Sequence, residues 1–167
     1  MEPGFATVTP APDYGEPVRA WRLWEVDDLE GAPRLRSLYR SCFWPVRAAF
    51  EARCEAHKIR LWRKARHVAP AETCTCGVYG VPFASIRRFT ARETVACARH
   101  GVALGDVVEC ERGWRAGFAY PDRLFVPLAC SDAAAKAAGL VEYGVPVELL
   151  DTTSVGTALD EMERVTG

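Results

Sequence analysis

Apolar and polar positions alternate along the first well-patterned stretch of the chain. Across residues 18–26, Val18, Ala20, Arg22, Trp24 and Val26 fall on one face, and Arg19, Trp21, Leu23 and Glu25 on the other. That is the period of a strand with aromatic side chains on both sides. Asp27-Asp28 and then Glu30-Gly31-Ala32-Pro33 read as a turn. Residues 35–44 read as the return strand of an antiparallel hairpin that ends at Pro45. Residues 46–66 change period: Phe50, Cys54, His57 and Leu61 are spaced by four, three and four, which predicts an amphipathic helix.

Residues 67–77 read as a loop and residues 78–81 as a short strand. Thr90-Ala91-Arg92-Glu93 has the form of a capping box, predicting a helix over 91–99 that stops at Gly101. The clearest pattern follows. Val102, Leu104, Val108 and Cys110 alternate with Ala103, Val107 and Glu109. Glu111-Arg112-Gly113 turns the chain, and Trp114, Ala116, Phe118 and Tyr120 line one face of the return, so this is a β-hairpin. A further strand is expected at 124–128, a helix over 132–138 capped by Ser131 and ended by Gly139, an extended stretch at 145–150 and a last helix at 157–165. The proline-rich residues 1–17 read as a flexible tail, leaving 18–167 as one globular domain.

These elements give an α+β fold with a mostly antiparallel, partly closed β-sheet and short helices. Composition agrees with an ordinary soluble globule: of 167 residues, 49% are hydrophobic and 26% charged. No apolar run approaches the ~20 residues that span a bilayer, so no membrane association is expected. Met1-Glu2-Pro3-Gly4 does not open a secretory signal, which points to the cytoplasm. There the seven cysteines are expected as thiols or metal ligands rather than as a disulfide framework.

Five candidate metal ligands lie close together: Cys54, His57, His67, Cys74 and Cys76. On a helix, Cys54 and His57 would point the same way, while Cys74-x-Cys76 presents two thiolates just before Gly77, where a tight turn is easy. Zinc takes four such soft ligands tetrahedrally, and a helix pair joined to a loop pair would staple the fold. An iron–sulfur cluster is the alternative cofactor. Cys42, Cys97, Cys110 and Cys130 sit in strand and helix patterns and read as core. The competing chemical reading is a nucleophilic thiol, Cys74 or Cys76, with His67 and Glu72 as its partners. Buried free thiols beside a surface histidine are the reading without function.

The small net charge of −1 hides an asymmetry: residues 1–33 carry −5, residues 34–99 carry +10 and residues 100–167 carry −6. The densest basic run, Lys58-Ile59-Arg60-Leu61-Trp62-Arg63-Lys64-Ala65-Arg66, encloses Trp62, and Arg87-Arg88-Phe89 with Arg92 adds a second cluster. Cations for phosphates and aromatics for base stacking suit RNA or single-stranded DNA. A solvated helix face with Trp62 folded onto the core would look the same in sequence.

Cys74-Thr75-Cys76-Gly77-Val78-Tyr79 and residues 101–125, with their Gly-Trp-Arg-Ala and Ala-Tyr-Pro elements, resemble a family of small actinobacterial proteins, a likeness that carries no catalytic assignment. The hairpin-rich pattern with capping helices is also similar to the PUA-like superfamily of ASCH, EVE and YTH relatives. That resemblance implies a β-barrel and a base-binding groove, with Trp44, Trp114, Phe118 and Tyr120 as the aromatics that would line it. The function these readings favour is a metal-binding, non-enzymatic recognition module for nucleic acid or another anion. The alternatives are a small thiol- or metal-dependent enzyme and a protein–protein adaptor.

Overall fold

Among the residues that the computed structural model describes (18–54, 67–86 and 96–150), seven strands hydrogen-bond into one sheet. They are β1 (Val18–Leu29), β2 (Ala32–Ser37), β3 (Phe50–Glu51), β4 (Val78–Gly80), β5 (Ala96–Cys110), β6 (Gly113–Pro127) and β7 (Val147–Leu150). Two short helices, α1 (Phe83–Ile86) and α2 (Ala133–Leu140), accompany them. The strand path runs β2-β1-β5-β6-β3, and β4 and β7 also pair with β6. All pairings are antiparallel except β6 with β7. The fold is thus mostly β with short helices, as the α+β reading expects.

Among the described residues the sheet does not close into the barrel that the PUA-like resemblance implies. Trp21 and Val81 exchange two backbone hydrogen bonds, of 2.7 and 2.9 Å, which link the end of β4 back to β1. One bridge of this kind leaves the sheet open.

Strand alternation sorts the core into two clusters. Trp24 of β1 joins Leu124 and Val126 of β6 with Leu35, Trp44, Leu140 and Tyr143. The intervening Trp21, Leu23 and Phe125 pack with Leu150. Trp24 meets Trp44 edge-on at 4.9 Å, and Trp44 stacks on Phe50 at 4.9 Å. Such pairs add about 0.5–1.5 kcal/mol each beyond the apolar area they remove from water.

Several expected elements differ. Residues 35–44 are not one strand: β2 stops at Ser37 and the chain doubles back, so that Trp44 N donates to Leu35 O at 2.8 Å. The helix expected from residue 46 is absent as far as Cys54. Arg47 has φ 56, outside the helical region, and β3 pairs instead with β6 at Phe50↔Ala119 and Glu51↔Phe118. Residues 55–66, the rest of that expected helix, lie outside the described residues, as do the expected tail (1–17), the capping box (90–93) and the last helix (157–165).

Ala96–Arg99, expected to be helical, are strand. They pair on both sides, Cys97 with Leu23 of β1 and with Phe125 of β6, and this two-sided ladder outweighs a local capping signal. The expected strands 114–120 and 124–128 are one continuous β6. Asp132, not Ser131, caps α2, and it does so without a side-chain hydrogen bond. The helix passes through Gly139 so that Leu140 is fully buried.

Candidate metal centre

One edge of β6 builds the site, because several short strands share it in turn. Residues 114–116 pair with β4, residues 118 and 119 with β3, and residues 124–127 with β7. Ala52, just after β3, donates its amide to Gly117 O at 2.7 Å and sets the approach of Cys54. The ligand-bearing loop 67–77 crosses the same strand. A Cβ on Gly117 would lie 2.8 Å from Ala69 O, and one on Gly77 (φ +125) would lie 3.0 Å from Arg115 Cβ. Only glycine lets the loop come this close.

The consequence is that Cys54, His67, Cys74 and Cys76, all partly buried, place their ligand atoms within 4.8 Å of one another. Cys54 Sγ and Cys74 Sγ are 3.6 Å apart, and His67 Nε2 and Cys76 Sγ 3.2 Å. With zinc–sulfur and zinc–nitrogen bonds of about 2.3 and 2.05 Å, a regular tetrahedron has S···S and S···N edges of about 3.8 and 3.6 Å. The first contact matches its edge, and the second is shorter by a few tenths of an ångström. This cluster of three thiols and one imidazole could hold a metal ion.

Polar groups around the loop favour charged sulfur at one position. A hydrogen bond from the Cys76 backbone amide, together with the Cys54 side chain, lowers the Cys74 thiol from 9.0 to about 7. Burial pushes the Cys76 thiol the other way, upward. The loop is further held by Cys74 N donating to Ala71 O at 3.1 Å and Tyr79 Oη donating to Thr75 O at 2.7 Å.

Four of the five expected ligands therefore converge. The fifth, His57, lies outside the described residues, as do Arg60, Trp62, Arg63, Lys64, Arg66, Arg87 and Arg88. Cys54 lies in irregular chain three residues after β3 rather than on a helix, so the expected helix–loop element is not formed at this end. Trp44, expected in a base-binding groove, is 2% exposed inside the core, and Tyr120 donates its hydroxyl to Tyr143 O. Phe118 is exposed and Trp114 half-buried. Cys42, Cys110 and Cys130, read as core, are half-buried free thiols.

Sequence reasoning missed Arg115. This residue is only 6% exposed, and its Nη1 faces the carbonyls of Ala71 (3.2 Å), Cys74 and Cys76 (2.8 Å), while Nε donates to Cys110 Sγ at 3.1 Å. The available signal was an arginine at an inward strand position between Gly113 and Gly117.

No family model, no curated protein and no solved structure matches this chain. Among the described residues, no helix is long and apolar enough to cross a membrane.

Proposed function

We propose that this chain is a zinc-stapled, non-enzymatic recognition module for a polyanion, with single-stranded nucleic acid as the favoured ligand. The observation that carries the metal half is the convergence of three thiols and one imidazole within 4.8 Å on two separate segments held by β6. Thiolate and imidazole are donors that suit zinc, and an ion bound by four protein ligands closes a structural site. Such an ion would tie Cys54 to the loop 67–77 and so fix both ends of residues 55–66. That intervening sequence carries Lys58, Arg60, Arg63, Lys64 and Arg66 against the single acid Glu55, with Trp62 among them. Its charge and its aromatic support the polyanion half.

A thiol enzyme would draw on the same His67–Cys76 contact. A nucleophile there needs a depressed thiol pKa, whereas burial raises that of Cys76. The thiol that is lowered, to about 7, is that of Cys74; the metal reading uses all four groups, whereas a nucleophile at either loop cysteine leaves Cys54 and the other loop thiol without a role.

The test is a fluorescence-anisotropy titration of short single-stranded RNA and DNA at several salt concentrations, with zinc-loaded protein. Replacing both Arg63 and Lys64 with Ala should flatten the salt slope by about two units. Trp62→Ala should cost about 1–3 kcal/mol of binding with little change of slope. An absence of binding at low salt refutes the polyanion reading and leaves the metal site to be judged by itself.

A further inference from the structure

We propose that Arg115 is the positioning residue of the metal centre, holding the ligand loop in its binding geometry and supplying the positive charge that a zinc–Cys3His site lacks. The inference rests on the metal reading above and goes one shell outward from it.

Three observations carry it. Arg115 as a residue is 6% exposed, and among the described residues no carboxylate forms an ion pair with it. A buried cation is costly unless something nearby offsets its charge. Its Nη1 is instead shared among the carbonyls of Ala71, Cys74 and Cys76, two of which belong to ligand residues and the third to the turn that Cys74 N closes. On its other side, Nε is fixed by Cys110 Sγ, so the side chain spans from the end of β5 to the ligand loop.

Charge completes the argument. Three thiolates and a neutral imidazole around a divalent ion leave one net negative charge, and the Arg115 cation is placed immediately behind the loop to balance it. A rigid fork of five N–H donors can hold several carbonyls at once, which a lysine ammonium on a flexible stem does less well. Groups in this outer position orient the ligands themselves, and losing one typically weakens metal binding 10–100-fold.

Zinc affinity is to be measured by competition with a chromophoric chelator, and coordination by the absorption of the cobalt(II)-substituted protein, on the full chain with folding followed by circular dichroism. Wild type should bind one Zn²⁺ and show sulfur-to-cobalt charge-transfer bands. Arg115→Gln, which keeps donors but removes the charge, should bind about 10–100-fold more weakly and change the cobalt spectrum. Arg115→Lys should restore part of the loss, and where Arg115→Gln does not fold, Arg115→Lys against wild type carries the comparison. A merely structural role would lower the melting temperature while leaving the affinity and spectrum of the folded protein unchanged, and that result overturns the proposal. Wild type that takes up neither metal overturns the metal reading and the role of Arg115 together.

Discussion

Tyr143→Phe removes one oxygen from a buried polar contact of the main core cluster. The Tyr143 hydroxyl accepts from Leu35 N at 3.0 Å and donates to Trp44 O at 3.0 Å, beside the direct hydrogen bond from Trp44 N to Leu35 O. The ring is fully buried against α2 and both tryptophans of the main cluster, so Phe keeps the apolar contacts. What changes is that the Leu35 amide and the Trp44 carbonyl lose the hydroxyl they share. Each group left without it costs about 1–3 kcal/mol, so the pair amounts to about 2–6 kcal/mol. For a chain of this length that is a fall of roughly 4–24 °C in melting temperature.

Burial also pushes the Tyr143 hydroxyl above its ordinary value of 10.0, with the Leu35 amide pulling partly the other way. The unfolded chain releases this proton near pH 10, and the folded one holds it to higher pH. The associated stability is therefore complete below pH 10 and is lost as pH rises through the folded value. Urea denaturation of both proteins, followed by far-ultraviolet circular dichroism from pH 7 to 11, checks both parts. The wild-type advantage should be largest at neutral pH and should shrink in alkali. Equal stabilities at neutral pH would refute the reasoning.

Cys74→Ser should abolish stoichiometric zinc binding. Since zinc at about 1,000 times its Kd stabilises a fold by about 4 kcal/mol, the zinc-dependent part of the melting temperature, roughly 8–16 °C, should vanish with it in a differential scan. Acid should release the metal, because ligand thiols must be ionised. Because the Cys76 thiol, raised above 9.0, must also lose its proton, affinity should already fall as pH drops from the alkaline side, and fall more steeply below about 7, where Cys74 protonates too, which a chelator titration across pH reads directly. Gly117→Ala places a methyl group 2.8 Å from Ala69 O, so the loop must lift from β6. It should weaken zinc binding, and a variant that binds as tightly as wild type would show that the loop's seat on β6 does not set the ligand geometry.

Legibility in the sequence followed the range of the interactions. The hairpins around Gly31 and around residues 111–112 show because strand alternation and turn residues are local. The loop 67–77 and its Cys-x-Cys pair show for the same reason. The stretch around Phe50 does not: its helical spacing competes with the free edge of β6, and that edge becomes available only when the long hairpin has formed. The same holds for Ala96–Arg99, drawn into a strand by neighbours on both sides. The four candidate ligands were legible by type, and the structure singles them out by bringing together two segments. Arg115 stayed hidden because its role depends on the register of β6 beneath the loop, which no local spacing encodes.

The central claim is that Cys54, His67, Cys74 and Cys76 together hold one metal ion. Elemental analysis of the chain purified under reducing conditions, with its visible spectrum, tests it most directly. One zinc per chain and a colourless protein are expected, with zinc lost in Cys74→Ser. Brown colour with iron and sulfide would replace zinc by a cluster at the same ligands. A folded protein that carries no metal, and takes up none from added zinc, would contradict the account.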